Sequence, residues 1–539
     1  MRKNHLRMRS RIDLRPRIDL RSLALLLLLA FAIAIVGCSK AEKAAEPEPL
    51  LPETAAPESF EAEPVAPAEP AEPATPTARE SYQAIYEAEN GRLIGGARIA
   101  QSGGQKVVTG FEADGDGVAI SIDIPVAGFY DLNFRSQDIG GYKENYIYAN
   151  GEMAGTVSIE SKTVANSKLE RVYLEAGENE IAYMKFWGWV NLDALSVTNS
   201  KDLDQGIYQV SAKLSNPDAS VNAKRLMSFL ADQYGKKVLS GQYSDTGLFG
   251  KEVYSLTTVN GGKRPAVIGL DMIEYTPSRV AKGSSGKAVG YALEADEAGA
   301  VVTMCWHWNA PTRYLTGTWY MGFYTEHTNI SLKDIMDGKD EEGYRDLIHD
   351  IDAIAEQLYP LRDADVPVLW RPLHEAAGGW FWWGASGAES YKQLYSLMHE
   401  RMTGIHKLNN LIWLWNGQDA AWYPGDDIVD MIGEDLYPGE KVYASQIAKF
   451  LEANQYSSQR RIVALSENGC VPDPDLMARD GAWWSFFATW SGEFVRVSDS
   501  LLAYSEKYTE KKAILKAYES EHVLSLDELP DLKAYPIRE

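Results

Sequence analysis

From about Asp204 onward, short apolar runs rich in β-branched residues recur with amphipathic helical stretches between them. That alternation restricts the segment to repeated βα units around a parallel sheet. The runs are 237–243, 265–272, 300–308, 366–375, 411–416, 428–437, 461–467 and 482–490. They predict a (β/α)8 TIM barrel over residues 204–539. Residues 344–358 and 391–408 have the periodicity of its helices. A further helix over 505–518 is expected to end the chain, followed by the cap-like Asp527-Glu528-Leu529-Pro530.

The part before the barrel differs in pattern. Val118-Ala119-Ile120-Ser121-Ile122-Asp123-Ile124 alternates as a half-buried strand does, and Tyr146-Ile147-Tyr148-Ala149 runs into Asn150-Gly151, a hairpin turn pair. Residues 81–200 are therefore expected to form an all-β, jelly-roll-like sandwich. Asp114-Gly115-Asp116-Gly117 hints at a calcium loop. The next ligand position is Val118 and the turn glycine is replaced by Ala119, so it reads as a polar turn.

Residues 39–80 are almost only Ala, Glu and Pro, a composition that buries no core and gives an extended spacer. Before it, a basic stretch precedes an apolar run that ends at Ile35-Val36-Gly37-Cys38-Ser39. Residues 1–38 resemble a bacterial lipoprotein signal, which implies a lipid on Cys38 and a place in the cell envelope, at the surface or facing the periplasm. Ser39-Lys40 supplies no aspartate for inner-membrane retention. The other two cysteines, Cys305 and Cys470, are expected to be buried thiols. A net charge of −23 argues against nucleic acid and suits a neutral ligand met by a monomer.

In a TIM barrel the ends of all strands converge on one face. Those ends carry Asp271, then Trp306, His307 and Trp308, then Arg371, His374 and Glu375, then Asp435 and Tyr437, then Glu467, and finally Trp490. Trp380, Phe381, Trp382 and Trp383 follow Glu375 in its loop. Acids and imidazoles bind hydroxyls while indole faces stack on the C–H face of a pyranose ring, so this ring of residues describes a sugar cleft. His374-Glu375 is no zinc motif, because Gly378 stands where the second histidine is needed.

Trp370-Arg371-Pro372-Leu373-His374-Glu375 and Leu465-Ser466-Glu467-Asn468-Gly469, with Trp306-His307, Gly433–Tyr437 and Leu239-Ser240-Gly241-Gln242, resemble glycoside hydrolase family 26, chiefly β-mannanases. The resemblance implies a retaining hydrolase of β-1,4-mannosidic bonds in mannan, galactomannan or glucomannan, without a catalytic cofactor. Glu375 would be the acid/base and Glu467 the nucleophile. His307, Trp308, Arg371, His374, Trp380, Asp435, Tyr437 and Trp490 would line the substrate. Another β-glycan, or a non-catalytic glycan-binding lipoprotein on the same fold, are the alternatives. Tyr86-Glu87-Ala88-Glu89-Asn90, Gly110-Phe111 and Trp189-Val190-Asn191-Leu192-Asp193 resemble a family 35 carbohydrate-binding module. This implies a structural calcium at Glu87, Glu89 and Asp193, and sugar-binding loops with Asn191 and Trp187, one of Trp187 and Trp189 lying in the core.

Overall fold

The computed structural model describes residues 81–497 and 503–538. The expected signal, Cys38 and spacer lie outside the described residues. No helix among the described residues is long and apolar enough to cross a membrane.

The first part is a sandwich of two sheets. One holds Gln83–Glu87, Arg98–Ser102, Gln105–Thr109, Gly128–Asp138, Ala165–Leu174 and Val190–Asn199. The other holds Arg92–Ile94, Gly117–Ile124, Lys143–Ala149, Glu152–Ile159 and Gly177–Lys185. Period-two alternation drives this arrangement: Ile120, Ile122 and Ile124 are buried between the sheets while Ser121 and Asp123 face solvent. Asn150 and Gly151 turn the hairpin with φ of 53° and 83°, values these two residue types adopt at least cost. Asp116 closes its polar turn by accepting from the backbone N–H groups of Gly96 and Ala113, both at 2.6 Å, which holds its carboxyl below the usual range.

The second part is a closed, all-parallel barrel of β1 (Gly241–Tyr243), β2 (Val267–Asp271), β3 (Val301–Trp306), β4 (Val368–Pro372), β5 (Leu411–Trp415), β6 (Met431–Leu436), β7 (Ile462–Asn468) and β8 (Phe487–Thr489). Gln242 pairs with Thr489 to close it. Every residue of β3, β4 and β5 is buried, the reason these strands read as continuous apolar runs. Below the barrel, Val238–Leu239 pairs in parallel with Val523–Leu524.

Two helices differ from expectation. The closing helix is Lys511–Glu519, not 505–518. Carbonyls of the preceding segment are engaged elsewhere: Tyr508 accepts from the Lys441 amide at 2.8 Å and Thr509 from the Tyr504 hydroxyl at 2.9 Å. Beyond it Ser525 and Glu528 form a capping box on a short turn, at the cap-like stretch the sequence indicates. The helix expected over 391–408 is Ala388–His399, continued by a π-helical turn over Glu400–Ile405.

Sandwich and barrel are pinned together. Ala448, on helix Ile447–Ala453, packs against the sandwich core. The Arg479 guanidinium lies 4.5 Å from the Tyr173 ring, and Arg171 donates to the Asp480 carbonyl at 3.4 Å.

Candidate active site

Backbone geometry at the end of β4 sets the site. Leu373 and Glu375 both adopt left-handed conformations, with φ of 53° and 54°, which non-glycine residues take at a cost of roughly 1–3 kcal/mol each. The Glu375 amide donates to the Asn416 carbonyl at 2.8 Å, fixing the sharp turn that leaves its side chain at the mouth of the barrel. Trp380 returns over the same turn. Its indole packs so closely on Gly378 that a Cβ there would strike the ring, and its Nε1 donates to Glu375 Oε2 at 2.9 Å.

Across the mouth, Glu467 ends β7. Tyr437 donates its hydroxyl to Glu467 Oε2 at 2.7 Å, and Arg371 donates to Oε1. Arg371 is wholly buried and also donates to Asp435 Oδ2 at 2.6 Å and to the Tyr243 hydroxyl at 3.1 Å. Asp435 in turn accepts from Ser466 Oγ at 2.8 Å, and Ser466 from Asn416 at 2.7 Å. Oxygens of Glu375, Asp435 and Glu467 lie within 4.8 Å of one another.

Such crowding acts on the charge of Glu375. The Glu375 carboxyl is partly open to the cleft, yet the groups around it strip enough water that desolvation dominates. With Asp435 and Glu467 adding like charge, it is held well above the usual carboxylate range, against the Trp380 hydrogen bond. Burial also pushes Asp435 up to about 7, opposed by Arg371. For Arg371, burial works against the charge, but Asp435 and Glu467 outweigh it and the guanidinium stays ionised.

The two histidines and Asp271 form a row of contacts. Asp271 Oδ2 lies 2.7 Å from His307 Nδ1, and His307 Nε2 lies 3.2 Å from His374 Nε2. Burial first, then Arg371 and His307, depress the His374 pKa, so its ring is neutral. His374 Nδ1 is buried without a partner. Trp490 completes the wall, its ring 4.7 Å from Tyr243 and 5.7 Å from His307.

Several expected substrate contacts are placed elsewhere. Trp308 is fully buried, stacked on Trp306 at 4.3 Å, with its Nε1 on Asp350 Oδ2 at 2.9 Å; one residue past His307, it points into the layer between strands and helices. Arg371 and Asp435 sit beneath the mouth, because they occupy interior-facing strand positions below the rim, and there they hold Glu467. His374 is likewise buried, packed among His307, Phe381 and Trp383. Trp380, His307, Tyr437 and Trp490 remain open or partly open to the cleft. Sequence reasoning passed over Tyr243, Asn416 and Ser466. The first two end the predicted first and fifth strands, so the rule that found Glu375 also points at them.

On the sandwich, both tryptophans are exposed, Trp187 at 56% and Trp189 at 53%, so neither lies in the core; both belong to the loop that crosses from Gly177–Lys185 of one sheet to Val190–Asn199 of the other. Asn191 is half-buried nearby. Arg135 donates to Asp193 and its Nη2 lies 3.8 Å from Glu87 Oε2, while Glu89 Oε2 is buried without a partner. Cys305 and Cys470 are buried free thiols.

A family model described as glycosyl hydrolase family 26 matches residues 215–518, and one described as carbohydrate binding module family 35 matches residues 84–200. A mannan endo-1,4-β-mannosidase of Thermothelomyces thermophilus is 37% identical over 452 residues, covering 82% of this chain and 90% of that protein. The crystal structure of the Podospora anserina GH26-CBM35 β-(1,4)-mannanase superposes with a TM-score of 0.58 at 34% identity, covering 84% of this chain and 99% of that one. That of a β-mannanase from a symbiotic protist of the termite Reticulitermes speratus, complexed with gluco-manno-oligosaccharide, gives 0.51 at 33% identity, covering 60% and 98%.

Proposed function

The chain belongs to glycosyl hydrolase family 26 and cleaves β-1,4-mannosidic bonds with retention, and from that premise we propose that Glu375 is its acid/base and Glu467 its nucleophile. One observation carries the assignment: the two carboxylates face each other from the ends of β4 and β7, with oxygens within 4.8 Å. Retaining pairs stand about 5–5.5 Å apart, too close for a water between acid and base.

The roles divide by environment. Glu375 keeps its proton and gives it to the glycosidic oxygen as the bond breaks. Glu467, with both oxygens fixed by Tyr437 and Arg371, attacks the anomeric carbon to form a glycosyl ester. Glu375, now ionised, takes a proton from the water that cleaves that ester, and the configuration is restored.

Glu467→Ala is expected to abolish hydrolysis of mannan and of aryl mannosides alike. Glu375→Ala should keep activity only on aryl mannosides whose leaving group needs no proton. Equal losses on both substrates in both variants would remove the assignment.

Three further parts belong to the same proposal. The sandwich binds mannan through its exposed loop with Trp187 and through Asn191 at the start of the strand that follows. Glu87, Glu89 and Asp193 hold a structural calcium: Glu87 and Asp193 meet at one guanidinium, that of Arg135, and Glu89 leaves a buried oxygen unpartnered. Chelator should then lower the melting temperature and calcium restore it. Finally, Ile35-Val36-Gly37-Cys38 supports a lipid anchor at the bacterial envelope. Cys38→Ala should release the protein from membranes.

A further inference from the structure

Where the sandwich meets the barrel, a cleft of about 680 Å³ opens between them, a size typical of ligand sites. Strands Lys143–Ala149 and Glu152–Ile159 form one wall, with Tyr142, Tyr146 and Phe186. Tyr437 and Pro438, which follow β6, and helix Ile447–Ala453 form the other.

The chemistry of this cleft fits a neutral, polyhydroxylated ligand. Its cations are already satisfied: Lys449 pairs with Glu452 at 2.9 Å, and Lys168 with Glu170 at 2.6 Å and Asp131 at 2.8 Å. An anionic ligand finds no free positive charge on these two lysines. Aromatic faces are present instead. Phe186 stacks on Tyr146 with centroids 4.5 Å apart and planes at 31°, while Tyr142 is 50% exposed. Exposed rings beside hydroxyls and amides are what pyranose rings pack against.

Position decides what that ligand is. Tyr437 lines this cleft and also donates to Glu467, so the cleft and the catalytic mouth share a wall. The contacts of Ala448 and of Arg479 with Tyr173 fix the two parts against each other, so the shared wall does not depend on chance docking.

We propose that this junction is a glycan-binding cleft that continues the catalytic groove, holding a segment of the same β-1,4-linked mannan chain whose neighbouring residues lie between Glu375 and Glu467. It rests on the mannanase reading and adds to it that the sandwich supplies subsites to the active site.

Steady-state kinetics of the full chain test it, on long linear mannan and on a three-residue mannan oligosaccharide too short to span both regions. Tyr142→Ala removes a stacking face, and Ser158→Trp fills the cleft from a solvent-facing strand position. In each, KM for the polymer is expected to rise about five-fold with kcat held, the loss of one aromatic contact, and constants for the oligosaccharide to stay within about two-fold. Unchanged polymer KM in both variants would overturn the cleft, as would equal changes on both substrates. A wild-type chain inactive on every mannan would instead overturn the reading beneath it.

Discussion

The Tyr437 hydroxyl stands 2.7 Å from Glu467 Oε2, on the oxygen that Arg371 leaves free. Tyr437→Phe keeps the ring and removes only this bond. A hydrogen bond to a charged group is worth roughly 1.5–3 kcal/mol, so kcat should fall about 10- to 100-fold. Thermal melting should move little, and the kinetic loss is measured on a short mannan oligosaccharide.

Arg371 is the counter-charge for two buried acids, so its removal strands both. Arg371→Ala should cost about 3–5 kcal/mol of stability, as breaking a buried pair from one side does, and eliminate activity. Arg371→Lys retains the charge but cannot reach Asp435, Glu467 and Tyr243 together, and should lose most of the activity with less of the stability. Denaturant melts beside kcat separate the two.

The Trp380 hydrogen bond favours the ionised form of Glu375, against desolvation. Trp380→Phe should therefore raise the Glu375 pKa further. On the proposed acid/base role, glycosyl transfer needs Glu375 protonated, so activity is lost as pH rises through that pKa. The alkaline limb of the kcat/KM profile should move to higher pH in the variant; a shift downward would contradict the geometry.

Glu434, buried on β6 with Oε1 unpartnered, is lifted to about 8, chiefly by burial. The folded chain keeps this proton where the unfolded chain has lost it. Its contribution to stability is thus fully present below the unfolded value near 4.5 and declines as pH rises towards 8. Glu434→Gln should flatten that decline, leaving the variant more stable than the parent by a few kcal/mol at most near pH 8. Melting temperature as a function of pH reads it directly.

The barrel was legible because parallel strands buried on both faces leave uninterrupted apolar runs, and its site because strand ends converge. That logic located Glu375, Glu467, Tyr437 and Trp490. It could not say which strand-end residues reach the cleft. Trp308 follows His307 by one position and points the opposite way, and Arg371 lies four residues before Glu375 but one layer deeper. Depth along a strand depends on tilt and stagger, which composition does not encode. The loop of Trp187 and Trp189 fails for a related reason: with φ of 46° at Trp189 its backbone departs from alternation, so no period assigns either ring to the inside.

The parallel pairing of Val238–Leu239 with Val523–Leu524 joins the entry of the barrel to its exit, at the end of β1 remote from Glu375. A support bonded through the chain's C-terminal segment would hold the molecule by its closed base. Immobilised in that way, the enzyme would present its mouth outward to an insoluble polysaccharide, with its catalytic entrance clear of the attachment.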